Sequence, residues 1–227
     1  MKKRTTMLAL LLATGAGTCL QAQEKLTQFK VRDAITVRTP IMNDSINPKG
    51  EKYADKDLLK TPVVLDLADA PFQVLSTDTA GVLSFPKAEK DHSIYLLETS
   101  LRAERFMTGK LKVTSPARWE IFINGESKMS KENAEDSISG ASTREVNLRL
   151  EPEADYEITI KLLSGSKDKA VPTLKCELIK DDKFKDITCF VSPEQKKRFA
   201  LPNTVYGNRV IGVSISPDGK YLLTRYW

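Results

Sequence analysis

Histidine occurs once in this chain of 227 residues, and cysteine occurs three times. A Ser-His-Asp triad would have to use His92, and no Gly-x-Ser-x-Gly turn that presents a nucleophilic serine occurs anywhere in the sequence. Metal-ligand runs, phosphate-binding glycine loops and dinucleotide fingerprints are also missing. His92 stands at the start of a strand pattern, where we expect an exposed side chain. The sequence therefore predicts no catalytic site, no cofactor and no metal in this chain.

Long apolar runs are missing as well, apart from one near the N-terminus. Met1–Arg4 is basic, residues 7–16 are apolar but too short to span a bilayer, and small residues follow. This order is typical of a signal peptide, which we expect to occupy residues 1–22, while Cys19 leaves lipidation open. We expect an exported protein, periplasmic, secreted or at the cell surface, without a transmembrane segment.

An excess of charge of one sign is missing once the signal peptide is removed. Lys2, Lys3 and Arg4 leave with it, so that 32 of the 35 basic side chains remain against 30 acidic ones, a net charge of +2. The two signs are interspersed along the chain. This pattern indicates a solvated surface rather than a stripe that binds phosphates, and we expect no nucleic-acid partner.

Residues 91–192 show the alternation of apolar and polar side chains that is typical of strands. Trp119, Ile121 and Ile123, for example, fall on one face, which we expect to be buried. Asn124-Gly125 then supplies a strong hairpin signal. Short strands separated by turns favour an all-β fold, an antiparallel β-sandwich of the jelly-roll kind.

Two further stretches differ in composition from the regions that show strand alternation. Residues 23–90 are polar, with short strand candidates at Val63–Leu65 and Phe72–Val74, and we expect an extended N-terminal segment that adds strands to other parts of the structure. Residues 128–143 are polar and rich in Ser and Glu, so we expect an exposed loop there.

The two cysteines beyond the signal peptide are spaced as in a hairpin. If residues 174–179 pair with residues 185–191 around a turn at 181–184, Cys176 faces Cys189 and each apolar residue faces another. Strands approach closely at such a position, so a disulfide fits there. Two buried free thiols are the alternative. In either form we expect a structural role, because no further Cys or His lies nearby as a metal ligand.

The C-terminal stretch has the pattern of two strands and a tight turn. Ile211, Val213 and Ile215 alternate with small residues. The turn between the strands has three residues whose backbone preferences suit its corners: Pro217, Asp218 and Gly219. Because an isolated apolar hairpin is marginal in water, we expect it to need neighbours that this chain does not contain. In the chain alone, its apolar side chains should be exposed.

The phrase Ser-x-Ser-Pro-Asp-Gly-Lys-x-Leu, from Ser214 to Leu222, resembles the propeller repeat of dipeptidyl-peptidase-IV-type and prolyl-oligopeptidase-type serine peptidases; TolB-like propellers share it. The lead-in at Thr39–Ser45 and Gly50–Tyr53 resembles the leader that precedes the propeller in some exported peptidases. The resemblance implies that residues 193–227 begin a β-propeller blade. Its partners would be the remainder of the propeller and a hydrolase domain, with the propeller gating access of a peptide substrate. No catalytic residue is carried over, because none of the triad matches this chain.

A second resemblance concerns the sandwich. The order of its elements is similar to that of jelly-roll modules of the sugar-binding or PA14-like kind. The elements are the stretch Trp-Glu-Ile-Phe-Ile-Asn-Gly from Trp119, a polar loop, and the strands that begin near Val146 and Tyr156. This resemblance implies a ligand on loops near three polar residues: Asn124, Asn133 and Asp136. The alternative is a scaffold sandwich without a ligand.

Three hypotheses follow. The first is the non-catalytic N-terminal part of an exported prolyl-oligopeptidase-family serine peptidase. The second is a stand-alone secreted β-sandwich module that binds carbohydrate or protein. The third is a truncated TolB-like propeller protein. In each of them, this chain carries no catalytic residue of its own.

Overall fold

The structure is a computed structural model that describes residues 23–38, 46–47, 49–60, 72–152, 154–193 and 210–226. Four sequence predictions lie outside the described residues: the signal peptide at 1–22, the leader at 39–45, the strand candidate at 63–65 and the exposed Trp227. Contacts divide the chain into two units, Met1–Pro193 and Glu194–Trp227. No described helix is long and apolar enough to cross a membrane.

In its described residues, the first unit consists of strands, one short helix and a 3-10 turn at Asp182–Phe184. Its elements in chain order are β1 (Gln23–Lys25), β2 (Gln28–Arg32), β3 (Ile35–Val37), α1 (Asp55–Lys60), β4 (Phe72–Ser76), β5 (Val82–Ser84), β6 (His92–Ala103), β7 (Met107–Thr114), β8 (Arg118–Ile123), β9 (Glu126–Lys131), β10 (Thr143–Leu150), β11 (Asp155–Ser164), β12 (Thr173–Lys180) and β13 (Cys189–Ser192).

These strands form two antiparallel sheets in the described part of the chain. The five-stranded sheet has the order β1-β12-β7-β10, with β5 also paired to β12. The eight-stranded sheet has the order β4-β2-β6-β11-β8-β9, and β3 and β13 also pair with β6. The predicted all-β, antiparallel sandwich is therefore confirmed.

The core lies between the two sheets, because each sheet turns one apolar face inward. Trp119, Ile121 and Ile123 on β8 are all buried, as their alternation predicts. One continuous apolar cluster joins both sheets. It includes Leu111, Val113, Leu148, Leu174 and Leu178 from the five-stranded sheet and Leu97, Trp119, Ile121, Ile158 and Ile160 from the eight-stranded sheet.

Asn124-Gly125 closes the hairpin between β8 and β9, as the sequence predicts. Both residues have positive φ, 52° for Asn124 and 77° for Gly125, and this combination suits a two-residue hairpin turn. The prediction of a loop over 128–143 is wrong in its first part, because β9 continues to Lys131. Lys131 is buried there, and its ammonium donates to the Ser115 carbonyl.

The predicted hairpin between the two cysteines is wrong. Strand β12 lies in the five-stranded sheet, where Cys176 pairs with Val113 of β7. Strand β13 lies in the other sheet, where Cys189 pairs with Ala103 of β6. The pairing that suggested a disulfide is therefore absent, and both cysteines are buried free thiols.

The outer face of the eight-stranded sheet is covered at one end by α1. Leu58 and Leu59 of the helix pack on Ile94 and Leu96 of β6 and on Leu163 of β11, forming a second apolar cluster. Because α1 has only six residues, it has little helical stability of its own. We attribute its position to this packing.

The described residues of the second unit, 210–226, form a hairpin of β14 (Val210–Ile215) and β15 (Leu222–Tyr226). Gly219 adopts φ +70°, and the Ser216 hydroxyl, which contacts the Asp218 carboxylate, accepts a hydrogen bond from the Tyr221 amide at 3.0 Å. The strands expose their apolar side chains, as the sequence predicts for this chain: Ile211, Val213, Ile215, Leu222 and Leu223 are each more than half exposed.

Gly109 provides a test of the packing between β7 and β12. A Cβ atom at this position would stand 2.5 Å from the Ile179 carbonyl oxygen, so Gly109→Ala must separate two strands of the five-stranded sheet. We expect the free energy of unfolding, measured by urea denaturation, to fall by about 1–3 kcal/mol. In the control Gly140→Ala, the nearest atom is the movable Ser137 hydroxyl, and we expect a change within about 0.5 kcal/mol. Equal losses in both variants would contradict this account.

Candidate functional site

The single histidine is buried beside a cluster of partly exposed charged side chains. His92 is 7% exposed, so the expectation of an exposed side chain is wrong. Its Nε2 lies 3.0 Å from Asp55 Oδ1 at the start of α1. Asp55 Oδ2 also accepts from Arg118 Nη2 at 2.6 Å, and Arg118 Nη1 donates to Asp168 at 2.8 Å.

This cluster ties α1 to the sheet. Asp55 joins the helix to β6 through His92 and to β8 through Arg118, while Asp168 accepts from the Gly165 amide at 2.6 Å. Among the described residues, no hydroxyl or thiol hydrogen-bonds with the imidazole. A His-Asp pair acts in nucleophilic catalysis through such a group. The described geometry therefore supports a structural role for His92.

Lys161 is a second buried ionisable group, on β11 beneath α1. Its side chain is 2% exposed, and its ammonium donates to the Leu59 carbonyl near the C-terminal end of the helix. Burial lowers the pKa of Lys161 to about 8, partly opposed by the Glu120 carboxylate. At neutral pH, a larger fraction of an amine with this pKa is unprotonated and able to act as a nucleophile than for an ordinary lysine, but burial separates Lys161 from solvent.

The lowered pKa of Lys161 predicts a dependence of stability on pH. Between the folded pKa of about 8 and the unfolded value of 10.5, the unfolded chain holds a proton that the folded chain has released. The free energy of unfolding therefore rises with pH in this range. From pH 8 to 9.5, we expect wild type to gain about 1–2 kcal/mol relative to Lys161→Met.

Urea denaturation at both pH values measures this gain. Lys110→Met is the matched control, because Lys110 is exposed and pairs with Glu145, which raises rather than lowers the pKa of the amine. Wild type should show no such gain relative to that control. A constant difference between wild type and Lys161→Met would mean that the buried amine does not titrate in this range.

The two thiols are also unsuited to nucleophilic chemistry. Burial raises the pKa of Cys189 to about 11 and raises that of Cys176 further. Cys189 Sγ lies 3.1 Å from Met107 Sδ within the core. Because the thiolate is the reactive form, neither cysteine is activated at neutral pH. Within the described part of the chain, no three His, Cys, Asp or Glu side chains are grouped as metal ligands.

An open cleft lies at the edge of the sandwich, next to the turn that closes β8 and β9. Its volume is about 320 Å³. In the described part of the chain, β9 is an edge strand of the eight-stranded sheet and β10 is an edge strand of the five-stranded sheet, and both contribute to the cleft. The lining residues are Ile123, Asn124, Glu126, Lys128, Asn147, Leu148, Arg149 and Tyr156.

Asn124 fixes one wall of the cleft. Its backbone amide donates to the Glu157 carbonyl at 2.8 Å, and its side-chain Oδ1 accepts from the Glu157 amide at 2.8 Å. These two hydrogen bonds continue the pairing of β8 with β11 past the end of β8. The left-handed backbone and the side chain of Asn124 thus act together to hold the turn against β11.

Arg149 of β10 and Tyr156 of β11 also line the cleft. The Tyr156 hydroxyl accepts from the Glu151 amide at 2.9 Å, and Arg149 Nε donates to the Glu151 carboxylate at 3.0 Å. The Arg149 guanidinium also lies over the Phe106 ring, 5.3 Å from its centroid. Both side chains are therefore held in place by neighbours, which reduces the entropy lost when a ligand binds.

Of the three loop positions expected to hold a ligand, the structure brings only Asn124 to the cleft. Asn133 and Asp136 follow the far end of β9, six residues along the hairpin from the turn, and Asp136 pairs with Lys169 at 2.7 Å. Asn147 and Arg149 could not be assigned to the cleft from the sequence, because outward-facing polar residues on a strand do not reveal which strand of another sheet lies beside them. Tyr156, where the sequence predicts the start of a strand, is partly buried.

The geometry defines a class, an antiparallel β-sandwich with an open polar cleft at one edge. No family model matches the chain, and no curated protein matches it. The solved structures that are similar to parts of it include the following three. One is a PA14 sugar-binding domain from an RTX adhesin, with 18% identity over 44% of this chain and 51% of that chain, and a TM-score of 0.31.

The other two are larger enzymes. A β-glucosidase from Kluyveromyces marxianus has 13% identity over 70% of this chain and 16% of that chain, with a TM-score of 0.39. A GH31 α-xylosidase from Xanthomonas citri has 10% identity over 74% and 15%, with a TM-score of 0.35. The chain thus spans half of the adhesin domain and a small part of each enzyme. With TM-scores below 0.5, these likenesses assign neither family nor function.

Proposed function

We propose that this chain is an exported, non-catalytic binding module that holds a saccharide in the cleft between β9 and β10. The observation that carries the proposal is the convergence of amide, hydroxyl, carboxylate and guanidinium groups on one open cleft. The volume of about 320 Å³ falls at the lower end of the range for small-ligand sites. Export follows from the predicted signal peptide.

The chemistry of the lining supports a saccharide. A sugar presents many hydroxyls on a compact ring, so its site needs several polar groups that are already oriented. Asn124, Arg149 and Tyr156 are each fixed by hydrogen bonds within the protein. Ile123 and Leu148 add apolar surface on which the carbon-bound hydrogens of a ring can pack. The described nucleophile candidates are buried elsewhere, which supports binding without catalysis.

Asn147→Ala tests this proposal. Asn147 is exposed on β10 and lines the cleft, so its loss should weaken saccharide binding about three- to tenfold, as expected for one hydrogen bond. A glycan array identifies binding saccharides, and isothermal titration then gives the affinity of each variant. The thermal unfolding temperature should be unchanged.

Asn133→Ala is the matched control, because it removes an exposed asparagine at the other end of the β8–β9 hairpin. We expect it to bind like wild type. Absence of binding to any saccharide would overturn the proposal. Equal weakening in the two variants would move the site away from the cleft.

A second proposal concerns the whole protein. Ser214–Leu222 resembles a propeller repeat, and Val213, Ile215 and Leu222 are exposed. These features support the hypothesis that the chain is the N-terminal part of a prolyl-oligopeptidase-family serine peptidase. A TolB-like propeller protein would share them. An antibody raised against residues 91–165 tests it by immunoblotting of the producing cells. A band several times larger than 25.4 kDa supports a longer propeller protein, and a band near that mass contradicts it.

A further inference from the structure

The polar groups of the cleft differ in how much hydrogen-bonding capacity they have left. Asn124 has one acceptor and two donors on its side chain. Its Oδ1 already accepts from the Glu157 amide at 2.8 Å, whereas no described group accepts from its Nδ2. Towards a ligand, Asn124 therefore offers mainly donors.

Tyr156 shows the same bias. Its hydroxyl oxygen accepts from the Glu151 amide at 2.9 Å, and no described acceptor takes its proton. A phenolic hydroxyl both donates and accepts, so the function that remains for a ligand is chiefly donation. Two neutral side chains of the cleft have thus had their acceptors occupied by backbone amides of the protein itself.

The charges of the lining residues show the same bias towards hydrogen-bond donors. The lining contains two cations, Lys128 and Arg149, and one anion, Glu126. Glu126 is already held by the Lys128 ammonium at 2.6 Å. Arg149 uses its Nε on Glu151, outside the lining, and its terminal amino groups remain as donors. The lining residues therefore carry a net charge of +1, and one oxygen of their single carboxylate contacts Lys128.

We propose that the saccharide unit held in this cleft carries a carboxylate, as a uronate or a sialate does; this inference rests on the proposed function. In the lining, free donors outnumber free acceptors, since Asn147 and the second Glu126 oxygen are the acceptors that no described group occupies. A neutral hydroxyl, which donates as well as accepts, therefore finds few partners for its proton. A carboxylate is acceptor-only and accepts several donors at once. Its hydrogen bonds to Arg149 and Lys128 are charge-assisted, and such bonds are about twice as strong as neutral ones.

Matched pairs of ligands test this inference. The probes are oligomers of galacturonate, glucuronate and mannuronate, each compared with its carboxyl-reduced counterpart, and sialyllactose compared with lactose. We expect at least one acidic member to bind about tenfold or more tightly than its neutral partner by isothermal titration. The preference should shrink between 50 mM and 500 mM NaCl, because salt screens exposed charges.

Arg149→Gln should reduce the preference for the acidic member at least about fivefold, because the acidic member loses a charge-assisted hydrogen bond and the neutral member loses a weaker one. Arg144→Gln is the matched control, since Arg144 is an exposed arginine on the same strand that does not line the cleft. We expect that variant to keep the wild-type preference.

The outcomes separate this inference from the proposed function. If neutral members bind as tightly as acidic ones, or if only neutral saccharides bind, the cleft is a saccharide site and the carboxylate inference is wrong. If no saccharide binds, the proposed function fails and the inference fails with it. An equal loss of preference in both arginine variants would show an effect of overall charge and would overturn the assignment to Arg149.

Discussion

Strand β6 has to be covered on both faces, and the arrangement of the first unit follows from that constraint. Ile94, Tyr95, Leu96 and Leu97 are consecutive and all buried, so side chains that point in opposite directions each need an apolar cover. The five-stranded sheet covers one face, and Leu58 and Leu59 cover the end of the other. Strands β11, β2, β3 and β13 pair with β6 along its length.

Covering the outer face also buries polar groups, and those groups need partners. His92 and Arg118 share Asp55, and Lys161 donates to Leu59. Arg118 begins β8, whereas Asn124 follows its end, so the charged cluster around Asp55 and the open cleft lie at opposite ends of one strand. The charged groups nearest α1 therefore serve the fold, and those near the turn remain available to a ligand.

The sequence predicted what depends on local pattern. Alternation placed Trp119, Ile121 and Ile123 inside, and Asn124-Gly125 gave the hairpin turn. The sequence pattern failed where the pairing partner of a strand is distant in the chain. Leu178 and Cys176 pair with Leu111 and Val113 of β7. These apolar partners match the two residues as well as the predicted partners on the next strand of the chain would. Matching apolar residues with a period of two does not distinguish a strand nearby in the sequence from a distant one.

The burial of His92 and the cleft show the same limit. The run of apolar residues after His92 was a signal that β6 is covered on both faces, and that signal favours a buried histidine. No local signal joins Lys128 on β9 to Arg149 on β10, because the two strands belong to different sheets. The residues that line the cleft could therefore not be grouped from the sequence.

Amide chemical-shift mapping of the isotope-labelled chain tests the central claim most directly, with the saccharide that binds most tightly as the titrant. The account predicts shifts concentrated at 123–128 and 147–149, where the two edge strands meet at the cleft. Shifts confined to the 132–142 loop or to the hairpin at 210–226 would contradict it, since neither segment lines the cleft.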